Sequence, residues 1–171
     1  MEHACVPVQK FSRALAAASL AVLFSLAAAP ANAAGEAKGT VDYKARTTNV
    51  KYAYLVKGPD AVSKQTIRRL ILSATDLSAK IAACKTMSCT DSDLGDGLSV
   101  NLEDGPRLNY WMVMNGQKVQ YSGTEPKGSL AIKADDAKRL AGTLRFDTTG
   151  AGGPKVDVEF DAALVKEVSV P

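Results

Sequence analysis

Residues 98–121 have the sequence LSVNLEDGPRLNYWMVMNGQKVQY, in which apolar side chains occupy every second position. The first run places Leu98, Val100 and Leu102 on one face and ends at a turn signal, Asp104-Gly105. The second run divides into two faces: Leu108, Tyr110, Met112 and Met114 against Asn109, Trp111 and Val113. A period of two is typical of a strand with one buried face. The stretch therefore predicts two neighbouring antiparallel strands, with Tyr110 and Trp111 on opposite faces.

An Asn-Gly dipeptide between apolar runs is the strongest short signal for a β-hairpin, because both residues tolerate positive φ. Asn115-Gly116 has this position and predicts a return strand through Tyr121. The same alternation recurs from residue 39 to residue 160, with turn signals about every ten residues. Such a pattern predicts a mostly β fold, an antiparallel β-sandwich with one or two short helices.

Residues 67–83 fit two structures. The apolar residues of this segment follow a helical spacing, but Ile67-Arg-Arg-Leu-Ile-Leu-Ser73 also fits a buried strand. In the second case Thr75 or Asp76 would cap a short helix that runs through Ala83. We favour the strand followed by the short helix.

The first 33 residues have the features of a secretory signal peptide. Two positive charges precede an apolar run, Ala14 to Ala29, and Ala31-Asn32-Ala33 provides an A-x-A cleavage site. The run of about 16 residues is shorter than the roughly 20 that span a bilayer, which argues against an uncleaved anchor. We expect cleavage near Ala33, a single β-sandwich-like domain over residues 34–171, no membrane span after cleavage, and a periplasmic or secreted location in a bacterium.

The count of histidines and cysteines limits the chemistry of the mature chain. The one histidine, His3, would leave with the signal peptide, which excludes Ser-His-Asp and Cys-His catalysis and His-ligated metals. Cys84 and Cys89 would remain, and an even count in an oxidising compartment predicts a disulfide between them. Their C-x4-C spacing differs from the C-x-x-C of redox-active motifs.

The charge pattern does not point to nucleic acid, because the formal net charge is only +3. Several basic residues do cluster in one stretch, and we interpret them as a solvated face: Lys64, Arg68, Arg69, Lys80 and Lys85.

An acidic segment, residues 91–97, is a candidate calcium site. Asp91, Asp93 and Asp96 could direct carboxylate oxygens at one cation, and Gly95 and Gly97 would permit a tight turn. The spacing does not match an EF-hand loop, since position six holds Asp96 and position twelve holds Leu102. A solvated acidic turn is the alternative.

Three aromatic residues, Tyr52, Tyr54 and Trp111, are candidates for a binding surface that stacks on a sugar or on a partner protein. The alternative is that the tyrosines belong to the core and carry their hydroxyls at its rim.

The chain resembles small exported bacterial β-rich proteins of unknown function. The resemblance rests on Lys51-Tyr-Ala-Tyr-Leu-Val56 before a Gly-Pro-Asp turn, on the Arg-Arg-Leu-Ile-Leu-Ser segment, and on Leu140-Ala-Gly-Thr-Leu with Lys155-Val-Asp-Val-Glu-Phe-Asp-Ala162. It covers most of the mature chain, and it implies a fold and an exported location but no site.

These observations favour an exported, non-catalytic binding protein, with another exported protein or a cell-wall glycan as its partner. A small carboxylate-dependent hydrolase is the enzyme alternative and would use Asp157, Glu159, Asp161 or the segment at Asp91. A calcium-binding periplasmic domain is the other alternative. We predict no cofactor besides this possible calcium ion.

Overall fold

The computed structural model describes residues 33–92, 95–103, 105–114 and 121–169, without the side chains of residues 91 and 92. The fold is mostly β, with 62% strands in one antiparallel curled sheet. The described residues form nine strands: β1 (Gly35–Tyr43), β2 (Arg46–Pro59), β3 (Thr66–Ser73), β4 (Gly97–Leu102), β5 (Arg107–Val113), β6 (Tyr121–Pro126), β7 (Leu130–Asp135), β8 (Arg139–Asp147) and β9 (Lys155–Glu167). Two short helices, α1 (Ser78–Ala83) and α2 (Cys89–Ser92), follow β3.

The strands follow the order β6-β5-β4-β3-β2-β1-β9-β8-β7 across the sheet. Strand β1 lies between β2 and β9 and pairs antiparallel with both. Beyond the N-terminal end of β1 at Gly35, β2 and β9 are direct neighbours and pair in parallel, through Tyr54↔Ala163 and Leu55↔Leu164. The first strand of the chain thus separates two strands that meet beyond its end.

The inner face of the curled sheet carries the larger apolar core, which draws residues from eight of the nine strands. Tyr110 and Met112 belong to it, as the alternation in β5 predicts. At one end, Tyr110 packs against Phe146 and Tyr121, with ring centroids 5.0 and 6.1 Å apart. At the other end, Arg68 of β3 forms an ion pair with Asp135 of β7. These contacts join distant strands of the sheet.

The outer face carries a second apolar cluster around β2 and β3, to which Tyr54 and Ile71 contribute. The chain that follows β3 covers this cluster. Leu77, Ile81 of α1 and Met87 pack into it and are almost fully buried. The burial of these three side chains against β2 and β3 holds the segment on the sheet.

The predicted β-sandwich is not confirmed, since all nine described strands belong to one sheet. The curl of that sheet encloses the core that two packed sheets would enclose in a sandwich. The strand-then-helix arrangement for residues 67–83 is confirmed by β3 and α1. Strands β5 and β6 pair as an antiparallel hairpin, while the Asn115-Gly116 turn itself lies outside the described residues.

The predicted signal peptide, apart from Ala33, also lies outside the described residues. Within the part of the chain that the structure describes, no helix combines the length and the apolar character needed to cross a bilayer.

Candidate functional site

The structure forms the predicted disulfide between Cys84 and Cys89, whose Cα atoms are 5.5 Å apart. We call residues 84–89 the disulfide loop. Met87 points from the loop into the outer apolar cluster and is 2% exposed, while Lys85 and Ser88 are exposed to solvent. The loop is therefore closed by a covalent bond and anchored by one apolar side chain.

Arg69 of β3 lies beneath this loop, and only 3% of its surface is exposed. Its Nε donates to Asn101 Oδ1 at 2.7 Å, and its Nη1 donates to the carbonyl oxygen of Met87 and to Thr90 Oγ1, both at 2.9 Å. Thr90 Oγ1 also donates to the Met87 carbonyl at 2.6 Å. A buried guanidinium needs such partners because its desolvation is costly. Arg69 thus fastens the disulfide loop to the sheet.

The interpretation of Arg69 as part of a solvated basic face is therefore wrong. The sequence does contain a signal for the burial of Arg69, namely its position in β3, where residues 67, 69 and 71 share one face. Ile67 and Ile71 are buried on that face, so a charged residue between them has to be buried and paired. Arg68, on the opposite face, is the partly exposed partner of Asp135.

Trp111 lies on the outer face of β5, opposite in direction to Tyr110. Its ring is partly exposed, and the guanidinium of Arg69 lies over it, 5.7 Å from the ring centroid. In the ladder with β6, Trp111 pairs with Ser122 and Asn109 pairs with Thr124. Thr124 Oγ1 donates to Asn109 Oδ1 at 3.2 Å. We call these four residues the Trp111 face.

Ser99 of β4 lies directly across the ladder from Trp111. It is fully buried, and among the described residues its Oγ is the one buried side-chain polar atom without a hydrogen-bond partner. The base of the Trp111 face therefore contains a polar group that the described residues of the chain leave unsatisfied.

The three aromatic candidates all lie on the outer face of the sheet, but they do not form one exposed surface. Tyr54 is fully buried in the outer cluster, where its hydroxyl donates to Asp76 Oδ1 at 2.9 Å and accepts from the backbone N–H of Leu77 at 2.6 Å. Its ring therefore offers no exposed stacking surface. Tyr52 is partly exposed and packs against the same cluster. Trp111 lies three strands away from these tyrosines, on β5.

The environment of Tyr54 gives a prediction for alkaline pH. Burial, opposed by the Leu77 hydrogen bond, raises the pKa of Tyr54 to about 12, and burial raises the pKa of Tyr110 to about 12 as well. The unfolded chain loses these protons near pH 10, so stability should be complete below pH 10 and fall as the pH rises towards 12. We expect a loss of about 2 kcal/mol for each tyrosine, measured by urea unfolding.

Tyr54→Phe provides the control, because it removes one of the two titrations. Its free energy of unfolding should be lower at neutral pH but should depend less on pH above 10. Equal stability of the unsubstituted chain at pH 9 and pH 11.5 would contradict the prediction.

The calcium prediction falls largely on residues that the structure does not describe. Asp93 and the side chain of Asp91 lie outside the described residues. Asp96 is partly exposed, and its carbonyl oxygen accepts from the backbone N–H of Ala74 at 2.9 Å. The described residues contain no group of three or more metal-binding side chains. The calcium site stays a prediction.

Asp157, Glu159 and Asp161 of β9 lie on the outer face and are paired with basic residues of β7 and β8. Arg139 Nε and Nη2 donate to the two oxygens of Asp161 at 2.7 and 2.6 Å, and Lys133 forms an ion pair with Glu159. Arg145 Nε donates to Asp157 Oδ1 at 2.7 Å. Glu159 and Asp161 border a depression of about 510 Å³. The hydrogen bonds from Lys133 and Arg139 lower the pKa of Glu159 and of Asp161.

One carboxyl group has the opposite shift. Burial raises the pKa of Glu125 on β6, against the effect of the positive charge of Arg107. Glu125 lies across the ladder from Leu108, which belongs to the inner core, and so faces the other side of the sheet from the β9 carboxylates. Acid–base hydrolysis requires two carboxyl groups with different proton affinities in one cleft. Glu125 and the β9 carboxylates lie on opposite faces of the sheet and do not form such a pair.

Comparisons with known proteins add no relative: no protein-family model matches the chain, and no curated protein or solved structure gives a significant match. The resemblance to small exported bacterial proteins stays a prediction. The functional proposal therefore rests on the chemistry of the Trp111 face and of the loop beside it.

Proposed function

We propose that this chain is an exported, non-catalytic binding protein that holds its ligand on the Trp111 face. The observation that carries the proposal is a partly exposed tryptophan ring held in place by a buried arginine. Tryptophan and arginine are enriched among the residues that contribute most to binding. Trp111 would provide the contact area, and Arg69 would fix the orientation of the ring.

The rigidity of the surroundings supports a binding role. The hydrogen bonds of Arg69 join β3, β4 and the disulfide loop, and the loop is closed by its own covalent bond. A surface that is ordered before the ligand arrives loses less conformational entropy on binding. Arg69 and the disulfide loop therefore hold the Trp111 face in one conformation, which a sheet face that contacts only solvent does not require.

Export is the second part of the proposal. The disulfide is consistent with an oxidising compartment, and the described residues include no helix that could span a membrane. The A-x-A sequence at Ala31-Asn32-Ala33 supplies the cleavage site. The mature chain would begin next to Gly35, the first residue of β1.

Binding is favoured over hydrolysis because the β9 carboxylates are neutralised by ion pairs on an exposed face. A lowered pKa keeps Glu159 and Asp161 ionised near neutral pH, so neither is suited to act as a general acid. The Trp111 face itself contains amide and hydroxyl groups, which hydrogen-bond a ligand without transferring protons.

Site-specific photo-crosslinking in a bacterial host that exports the chain tests the proposal. A photoreactive amino acid replaces Ser122 on the Trp111 face, or Thr143 on the outer side of β8 as the matched control. We expect an adduct from position 122 that disappears when Trp111→Ala is added, and none from position 143. Equal labelling at both positions, or labelling that survives Trp111→Ala, would overturn the proposal.

A further inference from the structure

We infer that the ligand of the Trp111 face is a neutral glycan strand, an inference that rests on the binding function proposed above. The face combines one aromatic ring with one amide and two hydroxyl side chains: Asn109, Trp111, Ser122 and Thr124. A sugar presents an apolar C–H face to an aromatic ring and hydroxyl groups around its edge. The side chains of the Trp111 face match both parts of such a ligand.

The spacing of the face suits a ring-shaped ligand. Asn109 precedes Trp111 by two residues on β5, which places it about 7 Å along the strand, on the same side of the sheet. Ser122 pairs with Trp111 across one strand spacing of about 4.8 Å. A sugar ring over Trp111 therefore has hydrogen-bonding groups within reach along the strand and across it.

The charges around the face favour a neutral ligand. None of its four residues is ionisable, and the guanidinium next to the ring, that of Arg69, is buried and hydrogen-bonded to three groups of the chain. The exposed Arg107 lies at the far end of β5, where its Nη2 donates to the carbonyl oxygen of Thr124 at 3.3 Å. Among the described residues of β5 and β6, Arg107 is the one basic residue, so a phosphorylated or sulfated ligand would find no exposed cation on these strands closer to the ring.

Trp111 is the only tryptophan of the chain, so intrinsic fluorescence reports directly on this surface. The experiment titrates the purified protein with neutral oligosaccharides of β-linked glucose and of β-linked N-acetylglucosamine. We expect a saturable change in emission with at least one of them. Asn109→Ala should weaken that binding roughly tenfold by removing the amide, whereas Thr143→Ala on β8 should leave it unchanged.

The outcomes separate this inference from the function on which it rests. If no oligosaccharide changes the emission while position 122 crosslinks to a protein, the glycan inference fails and the binding function stands. If Asn109→Ala and Thr143→Ala bind the sugar equally well, the glycan binds elsewhere and the inference also fails. If neither titration nor crosslinking detects a ligand, both fail together.

Discussion

Replacing Arg69 with methionine should lower the free energy of unfolding by about 3 kcal/mol, which corresponds to a decrease in melting temperature of roughly 10 °C. Methionine replaces the unbranched stem of the arginine but removes the hydrogen bonds to Asn101, Thr90 and the Met87 carbonyl. Asn101 Oδ1 loses this donor, while the Met87 carbonyl keeps the hydrogen bond from Thr90 Oγ1. An unsatisfied buried polar group costs about 1–3 kcal/mol. Thermal unfolding followed by circular dichroism measures the change.

Arg68→Met is the matched control, since it alters the neighbouring residue on the opposite face of β3. Arg68 forms a partly exposed ion pair with Asp135, and such pairs contribute about 1 kcal/mol or less. Emission from Trp111 gives a second measurement, because Arg69→Met removes the cation over the ring and Arg68→Met does not. Equal losses of stability in the two variants would show that Arg69 does not fasten the loop as described.

Replacing Gly39 with alanine should destabilise the fold by about 3 kcal/mol or more. Gly39 has a φ of +139°, a conformation that residues with a side chain rarely adopt, and it lies at an irregularity in the pairing of β1 with β2. A Cβ atom at this position would overlap the backbone carbonyl of Asp157 on β9. Both effects act in the middle of the sheet, where backbone movement would disturb β2 and β9 together. Urea unfolding of the purified variant gives the free energy.

Gly128→Ala is the control, because a Cβ atom there would meet no other atom within 4 Å. We expect its stability to change by less than about 0.5 kcal/mol. If Gly39→Ala does not fold, its yield of protease-resistant protein relative to Gly128→Ala still tests the prediction. A Gly39→Ala protein as stable as the unsubstituted chain would mean that β1 does not approach β9 so closely.

Local sequence patterns predict the strands but not their arrangement. The alternation over residues 108–114 correctly assigns Tyr110 to the core and Trp111 to the opposite face, because side-chain direction in a strand depends only on parity. Whether strands form one curled sheet or two packed sheets depends on which strands pair. The parallel pairing of β2 with β9 joins residues far apart in sequence, and neither strand carries a local signal of it.

The same limit applies to the candidate site. The disulfide follows from counting cysteines, because only two remain after the predicted cleavage. The contact of Arg69 with Trp111 follows only from the register β3–β4–β5, which places Arg69, Asn101 and Asn109 in one row beside Trp111. The exposure of a tyrosine is equally non-local: Tyr52 and Tyr54 share a face of β2, yet only Tyr54 is fully buried, in contact with Leu77.

The central position of β1 has a consequence for the order of folding. β1 is the first strand of the described chain, yet one of its two neighbours, β9, is the last. Contacts between residues this far apart close slowly, because the intervening loop loses its entropy before the pairing is complete. The sheet cannot close around β1 until β9 has been synthesised. Until then the edge of β1 that faces β9 has no partner strand, and an unpaired strand edge promotes association between chains.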